Sequence, residues 1–180
     1  MYERLQQEGR IGRLTLPNRV FLPAMGVNLG SLRGGVTDDL IAYYEARARG
    51  GCGLIITEVT RIEDGVGVSD PCQMAARNVF DLPDLQRLMD AVHKYDARIF
   101  VQLQHPGWNA SPQNGEPPIS ASAIPNPASG VVPRELTTAE CKAYVEKFVT
   151  SARIVQMSGR TAWSCTARTA TSSTAFCPRR

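Results

Sequence analysis

An α/β fold, a parallel sheet covered by helices, is predicted on three observations. Three short runs, RVFLPAM (19–25), GLIITEV (53–59) and ARIFVQLQH (97–105), are almost continuously apolar, as strands buried on both faces are. Each is followed by a segment with helical period, so strand and helix alternate from residue 10 to residue 157. The bulk composition, 43% hydrophobic and 21% charged, is that of a globular chain, and 180 residues suffice for one domain with a core. Such βα units fit either a doubly wound sheet or a barrel. No G-x-G-x-x-G follows the first strand, so the common dinucleotide-binding version lacks its fingerprint.

The elements follow in order. The start, MYERLQQEGRIGRL, has no apolar centre of a secretory signal, and no run approaches the ~20 apolar residues that span a bilayer, so a cytoplasmic protein is expected. RVFLPAM follows Pro17-Asn18 and reads as a buried strand. Thr37 is positioned to cap a helix whose first residues, Asp38 and Asp39, suit the N-terminal dipole; it stops at Gly50-Gly51. GLIITEV is rich in β-branched residues. After a loop over 60–80, Asp81 is the expected N-cap of a helix with Pro83 in its first turn and Leu85, Leu88, Met89 and Val92 on one face. ARIFVQLQH is the third strand.

A connection from Pro106 to Glu135 then holds seven of the chain's 12 prolines; a loop so long is functional or disordered. Thr137 and Glu140 fit a capping box, with Leu136 and Cys141 at the staple positions. Cys141, Tyr144, Val145, Phe148, Ala152 and Val155 form the expected apolar stripe of the last helix. The five cysteines show no C-x-x-C spacing and are read as free thiols of a reducing compartment, with no metal site.

From Ser158 the pattern ends. Residues 158–180 contain five Thr, four Ser, four Arg and no acidic residue, without a period of 2 or 3.6. Arg160, Arg168, Arg179 and Arg180 account for the net charge of +3, since without them 16 basic residues face 17 acidic ones, a net of −1. A folded nucleic-acid surface is therefore not expected.

Read together, IGRLTLPNRVFLPAMG, VTDDLIAYYEARARGGCGLIITE and IFVQLQHPG resemble the N-terminal half of the old yellow enzyme (NADH:flavin oxidoreductase) family, over about residues 8 to 157. The resemblance implies a partial (β/α)8 barrel, its first three βα units, with residues 1–157 as the N-terminal part of an FMN-binding barrel. It also implies an NAD(P)H-dependent oxidoreductase that reduces a small activated alkene or enone. In a barrel, ligands sit at the C-terminal ends of the strands. Pro23, Ala24, Met25 and Gly26, with Glu58 and Val59, are the stretches the family sets against FMN, largely through backbone. Gln102 is the residue whose amide meets the flavin's pyrimidine edge. For Met25 and Val59 plain core packing is the competing reading, whereas a Gln inside an apolar strand needs a partner. His105 after the third strand is read as structural, and His93 as a cation at a helix C-terminus. The chain departs from the family in two places: Gly26 stands where many members have Cys or Thr, and Trp108 where QLxHxGR has Arg.

The family continues with a strand resembling ADGVELHGAHGY, whose two His and Tyr serve substrate and proton transfer. Nothing like it stands in residues 158–180, until each residue's third base is joined to the next codon. With an AGC or AGT codon at Ser164, Trp163 into Ser164 then gives Glu, Ser164 into Cys165 gives Leu, and Cys165 into Thr166 permits His. Every later step permits the family residue as well. Residues 158–180 are accordingly expected to be the fourth strand read one base out of frame, an unstructured tail. The catalytic His pair and Tyr are lost with it, so no catalytic residue is assigned. The chain is expected to be an inactive fragment of the enzyme. The alternative is a non-enzymatic flavin- or partner-binding module with a basic tail. Neither reading calls for nucleic acid or membrane, and both leave open the oligomeric state and an iron–sulfur cluster or FAD region in the parent.

Overall fold

The computed structural model describes residues 2–111 and 115–159 and the backbone of Ser164–Cys165. A short helix α1 (Glu3–Gln6) leads into a hairpin, β1 (Gly9–Ile11) against β2 (Leu14–Leu16), turned at Gly12 with φ +57°. Neither was foreseen, because each is a single short turn or ladder without a measurable period. Then β3 (Phe21–Leu22), α2 (Asp38–Arg49), β4 (Leu54–Arg61), α3 (Leu82–His93), β5 (Arg98–Gln104), β6 (Ile119–Ser120), β7 (Arg134–Glu135), α4 (Thr138–Ser158) and β8 (Ser164–Cys165) follow.

The main sheet has the order β3-β4-β5-β8, all parallel. Strands that stand beside each other in chain order, without reversal, are the winding of a barrel; a doubly wound sheet reverses its order. Ile55, Ile99, Val101 and Leu103 pack against the buried faces of the helices, Leu40 and Tyr44 of α2, Leu85, Leu88 and Val92 of α3, and Ile154 and Val155 of α4. On the opposite face Leu54 and Phe100 meet Leu16, with Leu14 and Ile56 beside them, so the hairpin covers the N-terminal end of the sheet.

Sequence signals explain the helix ends. Thr37 accepts the Leu40 N–H at 3.2 Å, and Gly51, at φ +91°, supplies the left-handed residue after α2. The capping box of α4 forms in both directions, with the Glu140 N–H on Thr137 Oγ1 at 3.2 Å and the Thr137 N–H on Glu140 Oε2 at 2.8 Å. Asp81 occupies the N-cap position of α3, but its side chain does not cap. The Arg77 guanidinium and peptide N–H take it, with Nη2–Oδ1 at 2.7 Å, and Arg77 also grips Asp64. A full ion pair outcompetes a single capping bond.

Three expectations change. RVFLPAM forms only a two-residue edge strand with Phe21 59% exposed, since among the described residues nothing pairs with its outer side. The stripe of α4 changes at one position: Val145 is exposed, whereas Tyr144 and Val155 are buried, Cys141, Phe148 and Ala152 pack half-buried against the core, and Ser151, Ile154 and Ser158 are buried beside them. The described part of the 106–135 connection is built, not disordered, around the parallel β6–β7 pair and the buried Ile119 and Asn126. The tail also carries an exception to its expected lack of structure. Ser164 and Cys165 stand beside Gln102 and Leu103 as β8, a backbone pairing that an open parallel edge offers to any sequence. Cys52, Cys72 and Cys141 are free thiols; Cys165 and Cys177 have side chains outside the described residues. Among the described residues no helix is long and apolar enough to cross a membrane.

Candidate functional site

The C-terminal ends of β3, β4 and β5 open onto a cavity of about 270 Å3, just below the ~300–1,000 Å3 of whole small-molecule sites. Ala24, Gly26, Val59 and Gln102 line it. These four come from two strands and the segment after β3, and the parallel register, Val59 opposite Gln102, sets two of them side by side. Pro23 ends β3 because it has no N–H for the ladder. The Ala24–Gly26 backbone then crosses the strand ends, and a Cβ built on Gly26 meets nothing within 4 Å, so bare backbone faces open space there.

The other three predicted residues stand apart from the lining. Pro23 and Met25 are exposed on the same stretch; with Met25 55% exposed, core packing does not account for it. Glu58 is 1% exposed, and its carboxylate is held away by protein donors, Val27 N–H at 2.8 Å, Asn28 N–H at 3.0 Å and Met74 N–H at 3.1 Å. Val59 is half-buried on the wall, a lining residue more than a core one. Gln102 is 7% exposed, and its peptide N–H donates to Thr57 Oγ1 at 3.1 Å.

Ser69, Asp70, Gln104, Pro106 and Asn109 complete the lining, and the sequence reading did not single them out. Gln104 had a signal: it lies two residues after Gln102, on the same face of a strand. Its Oε1 accepts from Gln73 Nε2 at 3.0 Å, which leaves the NH2 as its donor end, while Gln73 Oε1 accepts the Ser69 N–H at 3.0 Å. Ser69 and Asp70 carried no signal, since only loop closure brings them here.

A second polar cluster adjoins the end of β5. His105 Nδ1 accepts the Gly107 N–H at 3.0 Å, so the ring proton sits on Nε2, which donates to Glu63 Oε1 at 2.8 Å. Glu63 also pairs with Lys147, and the Tyr144 hydroxyl bonds to it. Burial opposes the Glu63 charge, but the hydrogen bonds from His105 and Lys147 outweigh it and hold the carboxyl down at about 2. Burial, reinforced by Glu63, pushes the Tyr144 hydroxyl up. The His105 ring meets Tyr144 edge to face at 4.9 Å. The ring nitrogens thus tie the loops after β4 and β5 together, and the ring itself packs on Tyr144 of α4. At His93, burial first, then Arg98, lowers the pKa, which works against the charge expected at the end of α3.

A ligand group that presents a donor beside an acceptor calls for a side chain that both donates and accepts. The Gln102 amide does so. The second carboxamide, Gln104, and the open backbone at Gly26 extend the same wall. The chain has two His, His93 and His105, and its last Tyr is Tyr144, so residues 158–180 hold neither the His pair nor the Tyr.

The family model described as NADH:flavin oxidoreductase / NADH oxidase matches residues 9–159. An "NADH oxidase" of Thermoanaerobacter brockii is 39% identical over 153 residues, 84% of this chain and 24% of that protein. An "NADPH dehydrogenase" of Clostridium acetobutylicum is 30% identical over 83% of this chain and 43% of its own length. Among solved structures, a 2-naphthoyl-CoA reductase complex superposes with a TM-score of 0.85 at 25% identity, covering 93% of this chain and 28% of that one. The old yellow enzyme homologue from Zymomonas mobilis gives 0.79 at 25% identity, over 91% and 48%. The chain spans from about a quarter to just under half of these relatives.

Proposed function

Because the chain belongs to the NADH:flavin oxidoreductase / NADH oxidase family and carries part of its (β/α)8 barrel, we propose that the cavity is one wall of an FMN site in an ene-reductase. FMN, when bound, supplies hydride transfer from NAD(P)H to a small activated alkene or enone. The chain's own residues bind and orient. The Gln102 amide holds the pyrimidine edge with one donor and one acceptor. Ala24 and Gly26 border the ring through backbone, and Val59 gives it an apolar neighbour. No residue here is assigned as the acid that protonates the product.

One observation carries the reading: a buried carboxamide shares a cavity at the strand C-termini with Ala24, Gly26 and Val59. We assign residues 1–157 to the N-terminal part of the barrel and 158–180 to an out-of-frame segment, in a cytoplasmic protein. The 180-residue chain alone is inactive on this reading, because the Tyr acid and His pair that the family uses are not in it. The test compares this chain with the product of a gene in which one base is restored near codon 159. The longer product purifies yellow and oxidises NAD(P)H with an enone, whereas the 180-residue chain does neither. A longer product that never binds FMN overturns the reading. A 180-residue monomer that co-purifies with stoichiometric FMN favours the non-enzymatic flavin-binding module.

A further inference from the structure

In the β4–β5 ladder Ile56 stands opposite Phe100 and Val59 opposite Gln102, so Thr57 and Glu58 together face Val101 alone. This is a one-residue bulge in a parallel pair, where bulges are rare, and bulges near sites re-aim side chains. It displaces the partner of the Gln102 peptide N–H, which bonds instead to Thr57 Oγ1 at 3.1 Å. The Thr57 and Thr60 hydroxyls both donate to the Glu58 carbonyl, at 3.0 and 3.1 Å, and the Glu58 N–H donates to the Tyr44 hydroxyl oxygen at 2.6 Å. The bulge is therefore locked on every polar side.

Its product is a buried carboxylate whose two oxygens reach different segments. Oε2 accepts from Val27 and Asn28, directly after the Ala24–Gly26 wall. Oε1 accepts from Met74, in the segment that carries Ser69, Asp70 and Gln73. With Thr57 on Gln102, the donors tied to this bulge come from all three walls of the cavity. We propose that the Thr57–Glu58 bulge is the positioning device of the cavity, and that Glu58 is a positioning residue that sets the distance between its walls. The link from this device to FMN rests on the reading of the cavity given above. A carboxylate is required because it accepts at both oxygens, through charge-assisted bonds about twice as strong as neutral ones. Glutamine at 58 would keep one acceptor and turn an NH2 against peptide donors, releasing one wall while preserving volume.

The test is site-resolved hydrogen exchange on the full 180-residue chain, and on the frame-restored product with and without millimolar FMN. Glu58→Gln is expected to speed exchange at least tenfold at Met74, or at Val27 and Asn28, while amides of α2 and α3 keep their rates. A role in overall stability alone would speed them all together. Thr57→Val, which keeps the volume and removes one acceptor, is expected to speed Gln102 alone and serves if Glu58→Gln does not fold. In the frame-restored product FMN is expected to slow the wall amides, and not to slow them in its Glu58→Gln variant. If FMN slows nothing in the frame-restored product, the flavin reading falls while the amide pattern of the 180-residue chain still decides the bulge. Parental rates at all these amides in Glu58→Gln, or at Gln102 in Thr57→Val, overturn the proposal.

Discussion

Glu63 is a carboxylate whose neighbours decide its charge. Its folded-state pKa of about 2 lies below its ordinary 4.5, although burial pulls the other way. A depressed pKa means stability that is fully present above about 4.5 and lost as pH falls toward 2, on the order of 3 kcal/mol. Thermal melts of the parent chain and Glu63→Gln should accordingly differ at pH 7 and converge near pH 2. Parallel curves across that range would show the cluster to be inert. Gln102 makes the second residue-scale prediction. In the frame-restored product, Gln102→Ala should weaken FMN binding by about 1–3 kcal/mol, the cost of an unmatched buried group. Equilibrium titration checks it, and unchanged affinity, spectrum and potential would reassign Gln102 to packing.

At the scale of elements, local signals located starts and stops better than faces. Thr137 and Glu140 announce the α4 start because a capping box is a contact between residues three apart. Thr137→Ala should lower stability by about 1 kcal/mol in denaturant unfolding. The stripe was misjudged at Val145, an apolar residue about one-quarter turn from the line through Tyr144, Ser151 and Ser158. Hydrophobicity alone favoured valine over serine; the packing of β5 and α3 chose the line instead. Val145→Ser is then expected to lie within about 0.5 kcal/mol of the parent, while Val155→Ala, at a buried position, costs about 1–3 kcal/mol. Equal losses at both positions would restore the original stripe. Asp81 shows the same limit, since its cap position was legible and its capture by Arg77 was not.

For the whole molecule, the strand order β3-β4-β5-β8 and the helices on one face are the geometry of a barrel sector. Its β3 edge carries Phe21 and Val20, both exposed, beside Ile11. An apolar open edge favours self-association. The purified 180-residue chain is expected to be poorly soluble and colourless, and light scattering with the flavin absorbance band checks both; a soluble monomer that unfolds cooperatively would overturn this. Ser164–Cys165 pairs beside Gln102–Leu103, and the family reading makes residues 158–180 an out-of-frame fourth strand. Resequencing the gene tests that reading directly. Codons for residues 158–180 whose shifted reading fails to spell His-Gly-Ala-His-Gly-Tyr sink it.

Sequence by itself determined the α/β class, the three long helices, the side-chain caps of two of them at Thr37 and Thr137, the two long strands, and a carboxamide at the strand C-termini. All of these follow from interactions within one segment: a period, a cap, a run of β-branched residues, a polar residue in an apolar strand. The family resemblance added the flavin. The resemblance also implied the barrel, but the residues' own patterns left barrel and doubly wound sheet open, because strand order is a relation between segments that the tertiary structure shows. Tertiary structure alone decided that Glu58 faces away from the cavity and holds Val27, Asn28 and Met74. That outcome depends on one extra residue in β4 relative to β5, and no single segment records which residue will stand opposite which. Ser69 and Asp70 reach the cavity for the same reason, through a loop closed by contacts distant in the chain.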